Sequence, residues 1–574
     1  MHQLLTQYGR HLDNGNVRPE YPRPNLVRDS FFSLNGPWEY AISTNPSIRT
    51  PMQGLITVPF PLESLLSGVG KLLNKGEEII YKKVFSLPEG FKKDAILLHF
   101  EAVDYFCRIL VNGNELFSHR GGYLPFCINI TAHLKDTNEL VVIVQDDSKN
   151  KGAATGKQRL NRGGIWYTPC SGIWQSVWLE SVPEGFFEDV RVRPNVDAQS
   201  VSFDLTTTLP KGTISIFNHG NLVSKTPFRT SQITIPLPHP HLWSPEDPFL
   251  YDVEITNASE TVKTYFGMRK VSLGESVYGP CLILNNQPYF MNGVLDQGYF
   301  SDGLYTPASE QAFIDDILTM KSLGFNTLRK HIKIEDRRFY YQCDRLGMLV
   351  WQDFPSGGKY AFWSMTIMPT IGFKTANDHR YHAFGRSSSR NRQEFIDEIW
   401  ESMKLLDHYA SLVMWVPFNE GWGQFDAKAI AEMVKKKDPT RLVDHVSGWF
   451  DQGGPDIASH HIYFKKIVLK PDPLKRPIAV TEFGGYSLKI ETHVFNEDKE
   501  FGYRKYTSKE ELENALINLY ETEILANMKN GLCAAIYTQV SDVEDEINGF
   551  LTYDREILKV DPVKISSVLK KIQF

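Results

Sequence analysis

The second half of this chain alternates short apolar runs with amphipathic helical segments, and that alternation restricts the fold more than any other feature. Eight strand-like runs follow one another: Tyr289 to Val294, Asn326 to Arg329, Met348 to Trp351, Val413 to Pro417, Leu442 to Asp444, Ile457 to His460, Ile478 to Thr481 and Ala534 to Gln539. Parallel strands need a crossover long enough to hold a helix, so this pattern predicts βα units around a parallel sheet. Eight repeats over roughly 300 residues predict a closed (β/α)8 barrel, with functional side chains at the C-terminal ends of its strands. One helix is expected to start at Thr306-Pro307, read as an N-cap and a proline at the first helical position. It continues through Phe313, Ile317 and Met320 and stops at Gly324.

At 574 residues the chain is too long for a single core. From about Pro22 to Pro183, runs such as Ala95 to Phe100 and Leu140 to Gln145 lie between Gly, Asn and Asp turns, which predicts an all-β sandwich. Within it, Asn112-Gly113 supplies the positive φ angles of a tight hairpin turn. A second β unit follows, with strand candidates Ser202 to Thr208, Thr213 to Phe217 and Tyr251 to Thr256, and its length suits an immunoglobulin-like sandwich. The Pro-rich stretch Pro236 to Pro248 reads as a loop inside that unit. The expected division is 1–184, 185–273 and 274–574.

A formal net charge of −6 offers no electrostatic footprint for nucleic acid or an anionic membrane surface. The segment Met1 to Arg10 lacks a basic start followed by an apolar run, and no stretch reaches the length of a membrane span, so the expected location is cytoplasmic. Six cysteines without C-x-x-C spacing argue against a zinc site and a dense disulfide framework, and free buried thiols are expected. Eleven Trp, 25 Tyr and 35 Phe suit sugar stacking and β-rich cores alike.

Two carboxylates end apolar runs where barrel strands present catalytic groups: Glu420 in MWVPFNEGWG and Glu482 in PIAVTEFGGYS. They fall after the fourth and seventh strand candidates, facing each other across one mouth. Retaining glycoside hydrolysis needs such a pair, one carboxylate attacking the anomeric carbon while the other group protonates the leaving oxygen.

The segments WVPFNEGWG and VTEFGGYS resemble the acid/base and nucleophile motifs of glycoside hydrolase family 2, which includes bacterial β-galactosidases, β-glucuronidases and β-mannosidases. RPNLVRDSFFSLNGPWEYAI, FEAVDYFCRILVNG, HRGGYLPF and GIWQSVWLE are similar to its N-terminal region. The resemblance spans nearly the whole chain. It implies a sugar-binding-like jelly-roll β-sandwich, an immunoglobulin-like β-sandwich and a catalytic TIM barrel. It also implies Glu420 as acid/base, Glu482 as nucleophile, Asn419 as the residue that hydrogen-bonds the sugar 2-hydroxyl, Arg329 as the partner that keeps the nucleophile ionised, and Tyr463 as a contact of the nucleophile.

His460 and His461 have three readings: sugar contacts, metal ligands or loop residues. His331 reads equally as a sugar contact or a buried structural histidine. Tyr537 and Gln539 end the eighth strand, where the family offers an aromatic floor. Asp296, Trp351 and Asp353 are further candidates for the same pocket, each with a structural reading beside it. The acidic run Asp542 to Glu546 reads as a solvated loop.

Similar β-glucuronidases carry an Asn-x-Lys that grips the sugar carboxylate, but Asn548-Gly549-Phe550 has no lysine. The string WQDF is similar to β-mannosidases, whereas the N-terminal motifs and length are closer to galactosidases and glucuronidases. A β-galactosidase is therefore the expected activity, with β-glucuronidase and β-mannosidase as alternatives and a catalytically dead carbohydrate-binding protein as the non-enzymatic one. No metal or cofactor is expected, the partner is a carbohydrate, and the resemblance leaves a homo-oligomer open.

Overall fold

The computed structural model describes residues 4–146, 154–370, 373 and 375–574, so the start of the segment Met1 to Arg10 lies outside the described residues. Eight parallel strands form one sheet: β1 (Met291–Asp296), β2 (Thr327–Lys330), β3 (Leu349–Asp353), β4 (Leu412–Val416), β5 (Leu442–Val443), β6 (Ala458–Ile462), β7 (Ile478–Gly484) and β8 (Leu532–Thr538). Their order is 5-4-3-2-1-8-7-6, so β8 pairs with β1 as a barrel requires. Each of the eight runs expected from the sequence is a strand, shifted by at most two residues at either end except at β7. They were legible because barrel strands are covered by helices outside and by the packed interior inside, so both faces favour apolar residues.

Between β5 and β6 no ladder forms among the described residues, and side chains close the seam. Asp456 accepts from Val443 N at 2.8 Å, and Ser459 Oγ lies 2.8 Å from Asp444 Oδ1. A hairpin of Val271–Ser276 and Gly279–Leu284 packs Cys281 and Leu282 against Met291, Val413 and Ala534, plugging the lower end of the barrel. Trp351 is part of this apolar packing.

Upstream, a four-stranded and a six-stranded antiparallel sheet enclose Trp38, Tyr81, Phe100, Ile109, Val142 and Leu179. Asn112 and Gly113 have φ values of 52° and 82°, forming the expected tight turn between Phe106–Val111 and Asn114–Arg120. A three-stranded and a four-stranded sheet then pack face to face around Phe203, Ile214, Ile216 and Val253. The Pro236 to Pro248 stretch does more than connect strands. Its Trp243 is fully buried in the lower barrel core, and its indole N–H donates to Asp344 O at 2.7 Å.

Two local expectations are corrected. The helix Gln311–Leu323 begins beyond Thr306-Pro307, because Thr306 Oγ1 donates to Trp174 O and Pro307 O accepts from Arg18, so the segment straps the sandwich to the barrel. Gly324, at φ 99°, ends the helix as expected. Five of the cysteines are buried, but Cys127 is exposed. No helix among the described residues is long and apolar enough to cross a membrane.

Candidate active site

The chain leaves β4 through Pro417, Phe418 and Asn419 and turns left-handed at Glu420, φ 52°. Such a φ is strained for any residue with a Cβ, by roughly 1 to 3 kcal/mol. It is held by Glu420 N donating to Ser447 O at 2.8 Å. The two glycines of the NEGWG segment also have positive φ, at 72° and 65°, and close neighbours leave no room there for a side chain. A Cβ on Gly421 would lie 2.5 Å from the Phe450 ring, and one on Gly423 would lie 2.2 Å from Gly357 O.

Glu482 projects from β7 towards the same space. Carboxylate oxygens of Glu420 and Glu482 and a ring nitrogen of His461 all lie within 4.8 Å of one another. His461, on β6, places Nδ1 2.9 Å from Glu420 and 3.4 Å from Glu482. Its Nε2 lies 2.9 Å from Ser447 Oγ, which fixes the ring. His461, of the two adjacent histidines, is hydrogen-bonded to Glu420.

Arg329, from β2, is completely buried and, besides Thr481 O at 3.1 Å, organises the acceptor side chains of Glu482, Asp353 and Asn419. It donates to Glu482 Oε1 at 3.0 Å, to both carboxylate oxygens of Asp353 at 2.9 and 2.8 Å, and to Asn419 Oδ1 at 2.7 Å. The last bond sets the Asn419 amide with its Nδ2 left to meet a ligand. Tyr463 OH donates to Glu482 Oε2 at 2.5 Å, and its ring stacks on Tyr503 at 3.7 Å. Burial and the negative charge of Glu482 push the Tyr463 phenol well up, so it stays a donor. Burial also acts to raise Glu482, but His461 and Arg329 outweigh it and hold this carboxyl down at about 2.

His331 and Asp353 stand behind this set. His331 Nδ1 lies 3.0 Å from Asp353 Oδ2, and burial pushes its pKa well down, leaving the ring neutral. Gln539 is buried beneath the mouth, donating to Asn548 Oδ1 at 2.8 Å, while its neighbour Thr538 meets Tyr463 OH at 3.0 Å.

Several sequence candidates are not brought to the pair. Trp351 turns into the apolar barrel core, where its N–H meets Met291 Sδ at 3.2 Å. Tyr537 packs against Phe483 and Phe550, and its OH accepts from Tyr486 N at 3.1 Å. Asp296 is paired with Lys330 at 2.6 Å inside a buried network that includes Glu335 and Lys333. The run Asp542 to Glu546 is not a solvated loop. Asp542 bonds Lys559 at 2.6 Å, Glu544 accepts from Thr168 N at 2.8 Å and Glu546 accepts from Tyr167, so distant donors allow its burial.

Other groups at the mouth had no sequence signal: Ser447, Tyr503, and Trp449, which donates to Glu420 O at 3.0 Å. Most distinctive is the segment from Ala154 to Thr168, which reaches over the barrel from the N-terminal sandwich. Thr155 N and Gly156 N both bond Ser356 O, just past β3. Gly156 fits so closely that a Cβ would come within 3.1 Å of Tyr123, Tyr305 and Ile332. This placement lets the Lys157 ammonium act electrostatically on Glu482, Glu546 and His331.

The set Glu420, His461 and Glu482 also has the spacing of a cation site, as do Asp378, His379 and Asp426, and His493, Asp554 and Glu556. At the first of these, Arg329 and Tyr463 already occupy Glu482 oxygens, and the arrangement can work as a proton donor beside an ionised nucleophile.

Residues 276–484 match the model described as the TIM barrel domain of glycosyl hydrolases family 2, residues 186–269 match a second model of that family, and residues 72–170 match its galactose-binding domain-like model. The chain is 28% identical to a β-galactosidase of Thermoanaerobacter pseudethanolicus over 48% of its own length and 39% of that protein's. It is 23% identical to a β-glucuronidase of Streptococcus agalactiae, over 82% of this chain and 84% of that one. The structure of a β-D-glucuronidase from Dictyoglomus thermophilum superposes with a TM-score of 0.75 at 16% identity, covering 96% of this chain and 99% of the other.

Proposed function

Because the chain belongs to glycosyl hydrolase family 2, we propose that it is a retaining exo-β-glycosidase acting on terminal β-linked sugars, with β-galactosides as the substrates. The observation that carries this reading is the approach of Glu420 and Glu482 oxygens to within 4.8 Å. Retaining enzymes hold their carboxyl groups about 5 to 5.5 Å apart, whereas inverting enzymes leave about 6.5 to 9.5 Å for a water molecule.

On this reading Glu482 attacks the anomeric carbon while Glu420 gives its proton to the departing oxygen, forming a glycosyl ester. Glu420 then takes a proton from water, which attacks the same carbon and releases Glu482. Arg329 and Tyr463 hold the nucleophile ionised and aimed, and Asn419 Nδ2 meets the sugar 2-hydroxyl, a bond that strengthens as the transition state forms. No step needs a cofactor.

For the sugar, Asn548 is occupied by Gln539 and Glu546, and Phe550 packs against Phe325 and Tyr537, so the segment matching Asn-x-Lys offers no grip for a sugar carboxylate. That favours a neutral sugar. A second reading, β-glucuronidase, draws support from Lys157, whose positive charge acts on Glu482 and whose Nζ lies 6.0 Å from the Tyr167 ring centroid.

A panel of 4-nitrophenyl β-glycosides, comprising galactoside, glucuronide, mannoside, glucoside and fucoside, tests the proposal on the purified protein. Preference for the galactoside supports it, and preference for the glucuronide moves the assignment to the second reading. Cleavage of no β-glycoside by folded protein sinks the glycosidase reading, and cleavage of α-glycosides alone overturns the roles given to the pair.

A further inference from the structure

The segment that reaches over the barrel mouth carries a guanidinium, that of Arg159, with no acid partner among the described residues. It folds back on itself locally: Gly163 N and Trp166 O bond at 2.8 Å, Trp166 N and Gly163 O at 3.2 Å, and Arg159 N donates to Tyr167 O at 2.9 Å. Gly163 and Gly164, at φ 136° and 59°, make the turn. The result sets Arg159 opposite Trp166, with the guanidinium carbon 4.3 Å from that ring's centroid and 5.7 Å from the Trp422 ring.

Trp166, Trp422 and Tyr360 meet edge to face, with centroids 5.2 Å apart for Trp166 and Trp422 and 5.0 Å for Trp166 and Tyr360. Ile332 and Met365 pack beneath them. The position of this cluster relative to the carboxyl pair is fixed by the chain itself. Trp422 follows Glu420 by two residues, and the Tyr360 phenol feels the charges of both Glu420 and Arg159. The cluster therefore lies near the proposed proton donor, the group that on the glycosidase reading meets the leaving oxygen.

Arg159 is half-buried, and among the described residues its side chain makes no hydrogen bond and no ion pair within 4.0 Å. Buried charges are ordinarily paired, and burial here lowers the guanidinium pKa, an effect that a bound anion reverses. A guanidinium carbon 4.3 Å from an indole centroid makes a cation–π contact that uses none of the N–H donors, so the fork keeps its capacity to bind a carboxylate through two parallel hydrogen bonds.

Resting on the glycosidase reading, we propose that the leaving-group side of the site binds a moiety bearing a carboxylate, with Arg159 holding the carboxylate and Trp166 and Trp422 covering the adjoining ring. Such a substrate is a neutral terminal sugar linked to an acidic sugar or an acidic aromatic alcohol. The glycone and the acid group are then read by different protein segments, the barrel and the sandwich.

The test compares kcat/KM for the 4-carboxyphenyl and 4-carbamoylphenyl β-glycosides of whichever sugar the protein cleaves, in the parent and in Arg159→Gln and Arg159→Lys proteins. Using the ratio of the two substrates in each protein cancels losses common to both. The parent should prefer the carboxylate by about tenfold or more, a preference that weakens at high salt, shrinks in Arg159→Lys and disappears in Arg159→Gln. An unchanged ratio in Arg159→Gln overturns the proposal. Calorimetry with 4-hydroxybenzoate and the Glu482→Gln protein reads the subsite without turnover. If no β-glycoside is cleaved but 4-hydroxybenzoate binds in an Arg159-dependent way, the glycosidase reading fails and the anion subsite stands; if glycosides are cleaved and 4-hydroxybenzoate binding ignores Arg159, the reverse holds.

Discussion

Arg329 Nη1 donates to Glu482 Oε1 at 3.0 Å with both side chains buried, so one guanidinium orients the proposed nucleophile and, together with His461, keeps it ionised. The same guanidinium neutralises Asp353. Replacing Arg329 with Met leaves two carboxylates buried without their cation, a defect that typically costs about 3 to 5 kcal/mol. The expected outcome is a clear fall in Tm together with a loss of kcat/KM of about a thousandfold or more. Thermal unfolding and steady-state kinetics on the same preparation check both.

The depression of Glu482 to about 2, from 4.5, also fixes a pH dependence. The folded protein releases this proton more readily than the unfolded chain, so the ionised carboxylate contributes stability above about pH 4.5 and loses it as pH falls towards 2. In Glu482→Gln that contribution is gone at every pH. The Tm of the variant should therefore fall less steeply than the parent's as pH is lowered through this window, and equal slopes would show that Glu482 titrates normally.

Asn419 gives a test of sugar contact separate from stability. Arg329 holds its Oδ1 at 2.7 Å, leaving Nδ2 for the proposed 2-hydroxyl bond. Removing the hydroxyl with a 2-deoxy glycoside should cost the parent about a hundredfold in kcat/KM, and should cost Asn419→Ala much less. Equal penalties in the two proteins would place the hydroxyl elsewhere.

Trp243→Ala probes the join between the second sandwich and the barrel. The indole is fully buried and bonded to Asp344 O, so its removal should destabilise the protein by about 3 to 5 kcal/mol. The cleavage rate of correctly folded protein at low temperature should change little, because Trp243 lies at the closed end of the barrel.

The barrel strands were legible because burial on both faces writes an apolar run into each of them. The pair Glu420 and Glu482, with Arg329, Asn419 and Tyr463, could be picked out from short motifs at strand ends, and the structure brings all five together. Trp351 was misplaced by the same apolar signal: a strand buried on both faces carries no period-two contrast, so nothing marked which face Trp351 occupies. The run Asp542 to Glu546 looked solvated because two of its partners, Tyr167 and Thr168, are distant in sequence and the third, Lys559, meets it only through the fold of the following loop. Lys157 and Arg159 were invisible for a related reason, since their segment belongs to a sandwich and reaches the barrel only through tertiary packing. The local clue was the Gly163-Gly164 turn, which sets Arg159 opposite Trp166.

The most direct test of the account is covalent trapping. Incubation with a 2-deoxy-2-fluoro-β-glycosyl fluoride of the preferred sugar, followed by proteolysis and mass spectrometry, should locate one glycosyl adduct on Glu482. Glu482→Gln should acquire none. An adduct on another carboxylate, or turnover without any adduct and with the α-anomer released first, would contradict the proposed mechanism.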